Sequence, residues 1–95
     1  MISITDYADI INCEIIVTYY HNQNNRWSAR FEHAEIKESK SSGVLISEFG
    51  NGKTPKIALE NYITSIKGKV LVLDATGGDK RREFVVPSNL TMMEE

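Results

Sequence analysis

SEFGNGKTPKIALENYITSIKGKVLVLD, residues 47–74, is the stretch on which the fold turns. Thr54 stands where an N-cap belongs. Pro55 follows at the first helical position, where a missing N–H is no loss and a fixed φ suits the helix. Ala58, Leu59, Tyr62, Ile63 and Ile66 then fall within an arc of about 140° at about 100° per residue, while Glu60, Thr64 and Lys67 face away. That stripe has to be buried. Gly68 supplies the left-handed stop, with Lys67 near the negative end of the helix dipole. Read locally, the stretch predicts a strand, a glycine turn at Gly50 and Gly52, a capped amphipathic helix and a second strand. In that last strand Val70 to Leu73 is apolar on both faces, as expected of a strand that is central or covered on both sides.

Upstream, Glu14 to Tyr20 is dense in β-branched and aromatic residues and runs into the polar cluster His21 to Asn25, a strand followed by a loop. Arg26 to Glu32 alternates, with Trp27, Ala29 and Phe31 on one face and Ser28, Arg30 and Glu32 on the other, so it reads as the return arm of a hairpin whose apolar side is core. Ala34 and Ile36 keep the rhythm in the opposite phase, which calls for a bulge or bend near His33. Val44 to Phe49 is expected as a third strand feeding the helix. The spacing of Asp6 and Asp9 permits a short capped helical turn near the N-terminus. Thr76 to Lys80 is a turn, Arg82 to Val86 a last strand ended by Pro87, and Ser88 to Glu95 a loose tail.

The order βββαββ predicts one α+β domain spanning residues 1–95: an antiparallel sheet of about five strands with one long amphipathic helix on one face. One helix covers one face only. Glu14 to Tyr20 offers apolar side chains to both, so the N-terminal segment or a second copy of the chain is needed to shield the other, and a homodimer is expected.

The 95 residues bound a single core and leave no room for separate cofactor and substrate domains. Net charge is −2, so no global positive field draws in a nucleic acid backbone. Cys13 is the single cysteine, which excludes an intramolecular disulfide and fits a reducing, cytoplasmic address. No apolar run approaches the roughly 20 residues that cross a bilayer, so no membrane association is expected.

Gly52-Lys53-Thr54 before a helix invites a phosphate loop, but the pattern requires a glycine where Ser47 stands, and a capped turn is the better account. His21, His33 and Cys13 lack the short paired spacings of a zinc site, and Cys13, at the start of a strand, suits a small buried hydrophobe better than a nucleophile. The chain is therefore expected to be no enzyme and to need no metal or cofactor. Lys53 and Lys56 flank the helix start, Ile57 is an apolar residue on its polar side, and Lys80, Arg81 and Arg82 sit on the last turn. These six are the candidate partner-binding residues. Glu32, Glu35 and Glu38 oppose broad phosphate binding.

Around the helix start, Gly-x-Gly followed by Thr-Pro-x-x-Ala-x-x-x-Tyr resembles two families. Gly52, Thr54, Ala58 and Asn61 match the loose pattern of the HicB-like group, small β-rich domains with a glycine turn and a capped helix. That resemblance implies binding to a small toxin ribonuclease. Lys56 and Ala58 also align with the helix start of double-stranded RNA-binding domains, although Pro55 and Leu59 replace lysines that grip phosphates there. Gly50 to Pro87 as a whole resembles small accessory proteins of phages and prophages of low-GC Gram-positive bacteria. Together these features lead to the expectation of a non-enzymatic phage-type accessory protein that binds another macromolecule, a protein first and a nucleic acid as the alternative.

Overall fold

The structure, a computed structural model, describes residues 1–92 and is mixed α+β. In chain order the elements are β1 (Ile2–Ser3), α1 (Ile4–Ile11), β2 (Ile15–Tyr19), β3 (Trp27–Phe31), β4 (Ala34–Lys37), β5 (Gly50–Gly52), α2 (Pro55–Ile66), β6 (Val70–Leu73), β7 (Arg82–Val85) and β8 (Leu90–Thr91). A 3₁₀ turn at Gly78–Lys80 joins β6 to β7.

The single five-stranded sheet is replaced by three sheets. β2-β3-β5 and β4-β6-β7 are antiparallel, and β1 pairs with β8 in parallel. The break falls at the expected bend. His33 takes φ 55°, a left-handed conformation, so the chain leaves β3 at Phe31 and re-enters at Ala34 in a different sheet. Two of the expected strands are redrawn. Val44 to Phe49 makes only one bridge, Ile46 to Ile36, closed by two hydrogen bonds of 2.8 Å. The glycines taken for a turn are themselves β5, with Gly50 opposite Ala29 and Gly52 opposite Trp27.

The hairpin of β2 and β3 keeps the expected register, Ile15 opposite Phe31 through to Tyr19 opposite Trp27. In α2, the Thr54 hydroxyl accepts from the Ile57 N–H at 3.1 Å, Pro55 opens the helix, and Gly68 follows it at φ 73°. Ala58, Tyr62, Ile63 and Ile66 are buried, with Leu59 half-buried against the same core. β6 lies between β4 and β7 with all four residues buried.

A second helix stands where only a capped turn was expected. Its cap is Ser3, whose hydroxyl accepts from the Asp6 N–H at 3.1 Å, and it buries Ile4, Tyr7, Ala8 and Ile11. Arg82 reaches back to its last turn, donating to the carbonyls of Ile11 (2.7 Å) and Asn12 (3.4 Å). Within the segment expected to be a loose tail, Leu90–Thr91 form β8 and Leu90 is buried; residues 93–95 lie outside the described residues.

Both helices lie on one side of the first sheet. The Phe31 ring meets Tyr7 edge-on at 6.1 Å and Tyr62 at 5.9 Å, so the N-terminal segment thickens the helix layer and leaves the far face of the sheet uncovered. Tyr62 also accepts the Phe31 N–H at 3.1 Å. Burial pushes its phenol from an ordinary 10.0 up to about 12, against the pull of that N–H. Burial raises the Tyr7 hydroxyl too. The native state thus holds the Tyr62 proton more tightly than the unfolded chain. This contribution is fully present below pH 10.0 and is lost as pH rises through about 12. Tyr62→Phe is expected to cost about 1–2 kcal/mol at neutral pH and to flatten the alkaline loss, read from urea midpoints at neutral and alkaline pH. An alkaline loss of wild-type size in the variant would rule out this role.

Candidate binding face

The uncovered face of β2-β3-β5 is built by strand alternation. Ala29 and Phe31 point into the core, so their even-numbered neighbours point the other way. Ile16, Thr18 and Tyr20 from β2 and its end, Ser28 and Arg30 from β3, and Asn51 from β5 line a concavity of about 550 Å³. Ser47 and Phe49, on the segment leading into β5, and Gln23 on the hairpin loop complete its wall.

Two half-exposed aromatics, Tyr20 at 43 % and Phe49 at 48 %, stand over a floor that mixes the Ile16 side chain with hydroxyls and amides. Arg30 is the one formal charge in the lining. Asn51 is held in place through its carbonyl, which accepts from the Asn61 side chain at 2.6 Å and ties the sheet edge to α2. The concavity opens to solvent.

The six residues singled out from the sequence fall elsewhere and in two groups. Lys53 and Lys56 are exposed at the start of α2, and neither forms an ion pair among the described residues. Ile57 is 42 % exposed and closes partly over Gly52. Lys80 is exposed on the 3₁₀ turn, but its neighbours have structural partners. Arg81 binds Glu83 at 2.7 Å and the Ala75 carbonyl at 3.3 Å, and Arg82 caps α1 while lying over the Phe84 ring at 5.6 Å. Of the six, only Arg82 lines one of the five best-formed cavities, and that cavity holds none of the residues at the start of α2.

Cys13 is partly buried, its thiol donating to the carbonyls of Glu32 (3.5 Å) and Glu14 (3.6 Å), and burial raises its pKa. A thiol held protonated in this way is a poor nucleophile. Among the described residues no three His, Cys, Asp or Glu stand close enough together to hold a metal ion, and no helix is long and apolar enough to cross a membrane.

The alternation of residues 26–32 already placed Ser28 and Arg30 on the face away from the core, but nothing local brought Phe49 and Asn51 beside them. That depends on β5 pairing with β3, which the sequence-level assignment of Gly50 and Gly52 to a turn concealed. The signal that was available is an aromatic at each of two solvent-facing positions, Tyr20 and Phe49. Comparison with protein-family models, with curated proteins and with solved structures gave no match.

Proposed function

We propose that this protein acts without catalysis, in the cytoplasm, by binding another protein on the open face of β2-β3-β5. The observation that supports it is the make-up of that face: Tyr20, Phe49 and Arg30 half-exposed or exposed around an uncharged floor of Ile16, hydroxyls and amides. Aromatic residues and arginine are enriched at the centres of protein interfaces and dominate their energetics. Such a role suits the phage and prophage accessory proteins that residues 50–87 resemble. The net charge of −2, and the engagement of Arg81 and Arg82 by neighbouring groups, favour a protein partner over nucleic acid.

Phe49→Glu and Arg30→Glu change exposed side chains and should leave far-UV circular dichroism and the unfolding midpoint close to wild type. Affinity for a partner captured from the host and then purified should fall by about 2 kcal/mol or more for Phe49→Glu, roughly thirtyfold, while Ile57→Asp and Lys56→Glu leave it unchanged. Binding that survives Phe49→Glu but is lost in Ile57→Asp would move the site to the start of α2. Retention of RNA or DNA that falls steeply with salt and disappears on charge reversal at Lys53, Lys56 and Lys80 would replace the protein partner with a nucleic acid.

A further inference from the structure

Arg30 stands at a change of charge on the open face of the first sheet. Residues 15–31 hold no Asp or Glu, so the β2-β3 hairpin is neutral or basic from its loop down to Arg30. Beyond Arg30 the face turns acidic. Glu32 follows just past the end of β3, its N–H donating to the carbonyl of Glu14 at 2.9 Å, and by strand alternation both side chains point to the same side as Arg30. A second, smaller concavity of about 230 Å³ opens on that side. Arg30 and Ser47 line both concavities, while Glu35 and Asp74 line only the second.

Opposite charges thus share one surface without neutralising each other. Arg30, Glu35 and Asp74 form no ion pair among the described residues. Arg82, which lines a neighbouring cavity with Glu14, Glu32 and Asp74, is held by the Ile11 and Asn12 carbonyls. The two concavities therefore run from an aromatic end, past one bare guanidinium, to an acidic end. Ile16 lies opposite Arg30, so Tyr20 is four residues up β2 from it, about 13 Å along the strand, while Phe49 precedes the Gly50 that pairs with Ala29 and stands nearer.

We propose, resting on the reading of this face as a protein-binding one, that the partner lays an extended segment across it with three side chains in a set order. An aromatic or large aliphatic residue packs against Tyr20 and Phe49, an acidic residue meets Arg30, and a basic residue beyond it faces Glu35 and Asp74. An extended chain turns every second side chain to one side, so apolar and acidic residues two or four positions apart cover the distance. The Arg30 fork can take the carboxylate bidentately. A segment with its two charges exchanged sets like against like at both places, and such mismatches exclude wrong partners. A nucleic acid strand, negative along its whole length, would run onto the carboxylates of Glu14, Glu32, Glu35 and Asp74 once past Arg30.

Selection of a random library of displayed short peptides against the full chain tests this order. Enriched peptides should carry an acidic residue two or four positions from an aromatic or large aliphatic one, with Lys or Arg on its other side. Arg30→Glu should weaken a selected peptide by about tenfold or more, and exchanging the peptide's acidic residue for Lys should restore its binding to that variant. Glu35→Lys should weaken the same peptide by about two- to fivefold, recovered when the peptide's basic residue is changed to Glu. Peptides lost on Phe49→Glu but indifferent to Arg30→Glu would overturn the order and leave the binding face standing, whereas peptides indifferent to both would overturn the two together. An empty selection, an enriched set with no fixed acidic position, or a labelled single-stranded oligonucleotide held by the wild type and released by Phe49→Glu would each overturn the proposed segment. So would self-association in sedimentation that Phe49→Glu abolishes, since the face would then belong to a second copy.

Discussion

Gly50→Ala is expected to be the most damaging single-methyl change in the protein, lowering stability by about 3 kcal/mol or more. A Cβ at Gly50 would overlap the Ala58 carbonyl oxygen and the Tyr62 backbone nitrogen, and would lie 2.8 Å from the Tyr62 Cα. All of these are backbone atoms of α2, so no side chain can swing aside; the helix itself has to lift from the strand. Gly52 is under the same helix, where an added Cβ would lie 2.5 Å from the Ala58 nitrogen and 2.6 Å from the Ile57 Cγ2. The two glycines are thus the contact that seats α2 on β5 and keeps Tyr62 over Phe31. Gly43 is the control, since a Cβ there meets nothing within 4 Å, and Gly43→Ala should be neutral or slightly stabilising through the unfolded chain. Urea unfolding of the two variants decides the matter: equal midpoints would mean that α2 leaves room for a side chain on β5.

Phe31→Ala should cost about 3–5 kcal/mol, from lost burial plus the cavity left behind. Phe31 is fully buried, and its ring joins Tyr7 of α1 to Tyr62 of α2 over the last residue of β3. Its removal therefore loosens both helices at once. The sequence pattern puts Trp27 on the same core face, but Trp27 is only half-buried, near the end of the hairpin, with its indole against Tyr19. Trp27→Ala should accordingly cost less, under about 2 kcal/mol, in proportion to the area it hides. Equilibrium unfolding of both variants provides the check, and a Trp27→Ala cost above that of Phe31→Ala would place the centre of the core elsewhere.

What the residues determined by themselves are the features that act within a few positions of the chain. Thr54 and Pro55 start α2, Ala58 to Ile66 set its buried side, the alternation of Trp27 to Phe31 sets the faces of β3, and the phase slip after Phe31 places the bend at His33. The tertiary structure decided everything that depends on which apolar surfaces meet. Short strands with similar alternation can pair in several orders, and the choice between one sheet and three rests on where the bend sends β4 and on how closely α2 approaches β5. A Gly-x-Gly segment suits a turn and a crowded strand equally well, and only the helix lying on it makes it a strand. The far face of the first sheet, with Tyr20, Phe49 and Arg30 together, and the bare edge of β2 follow from the same choice. Both helices went to one side, so the other side and the outermost strand were left to solvent or to a partner.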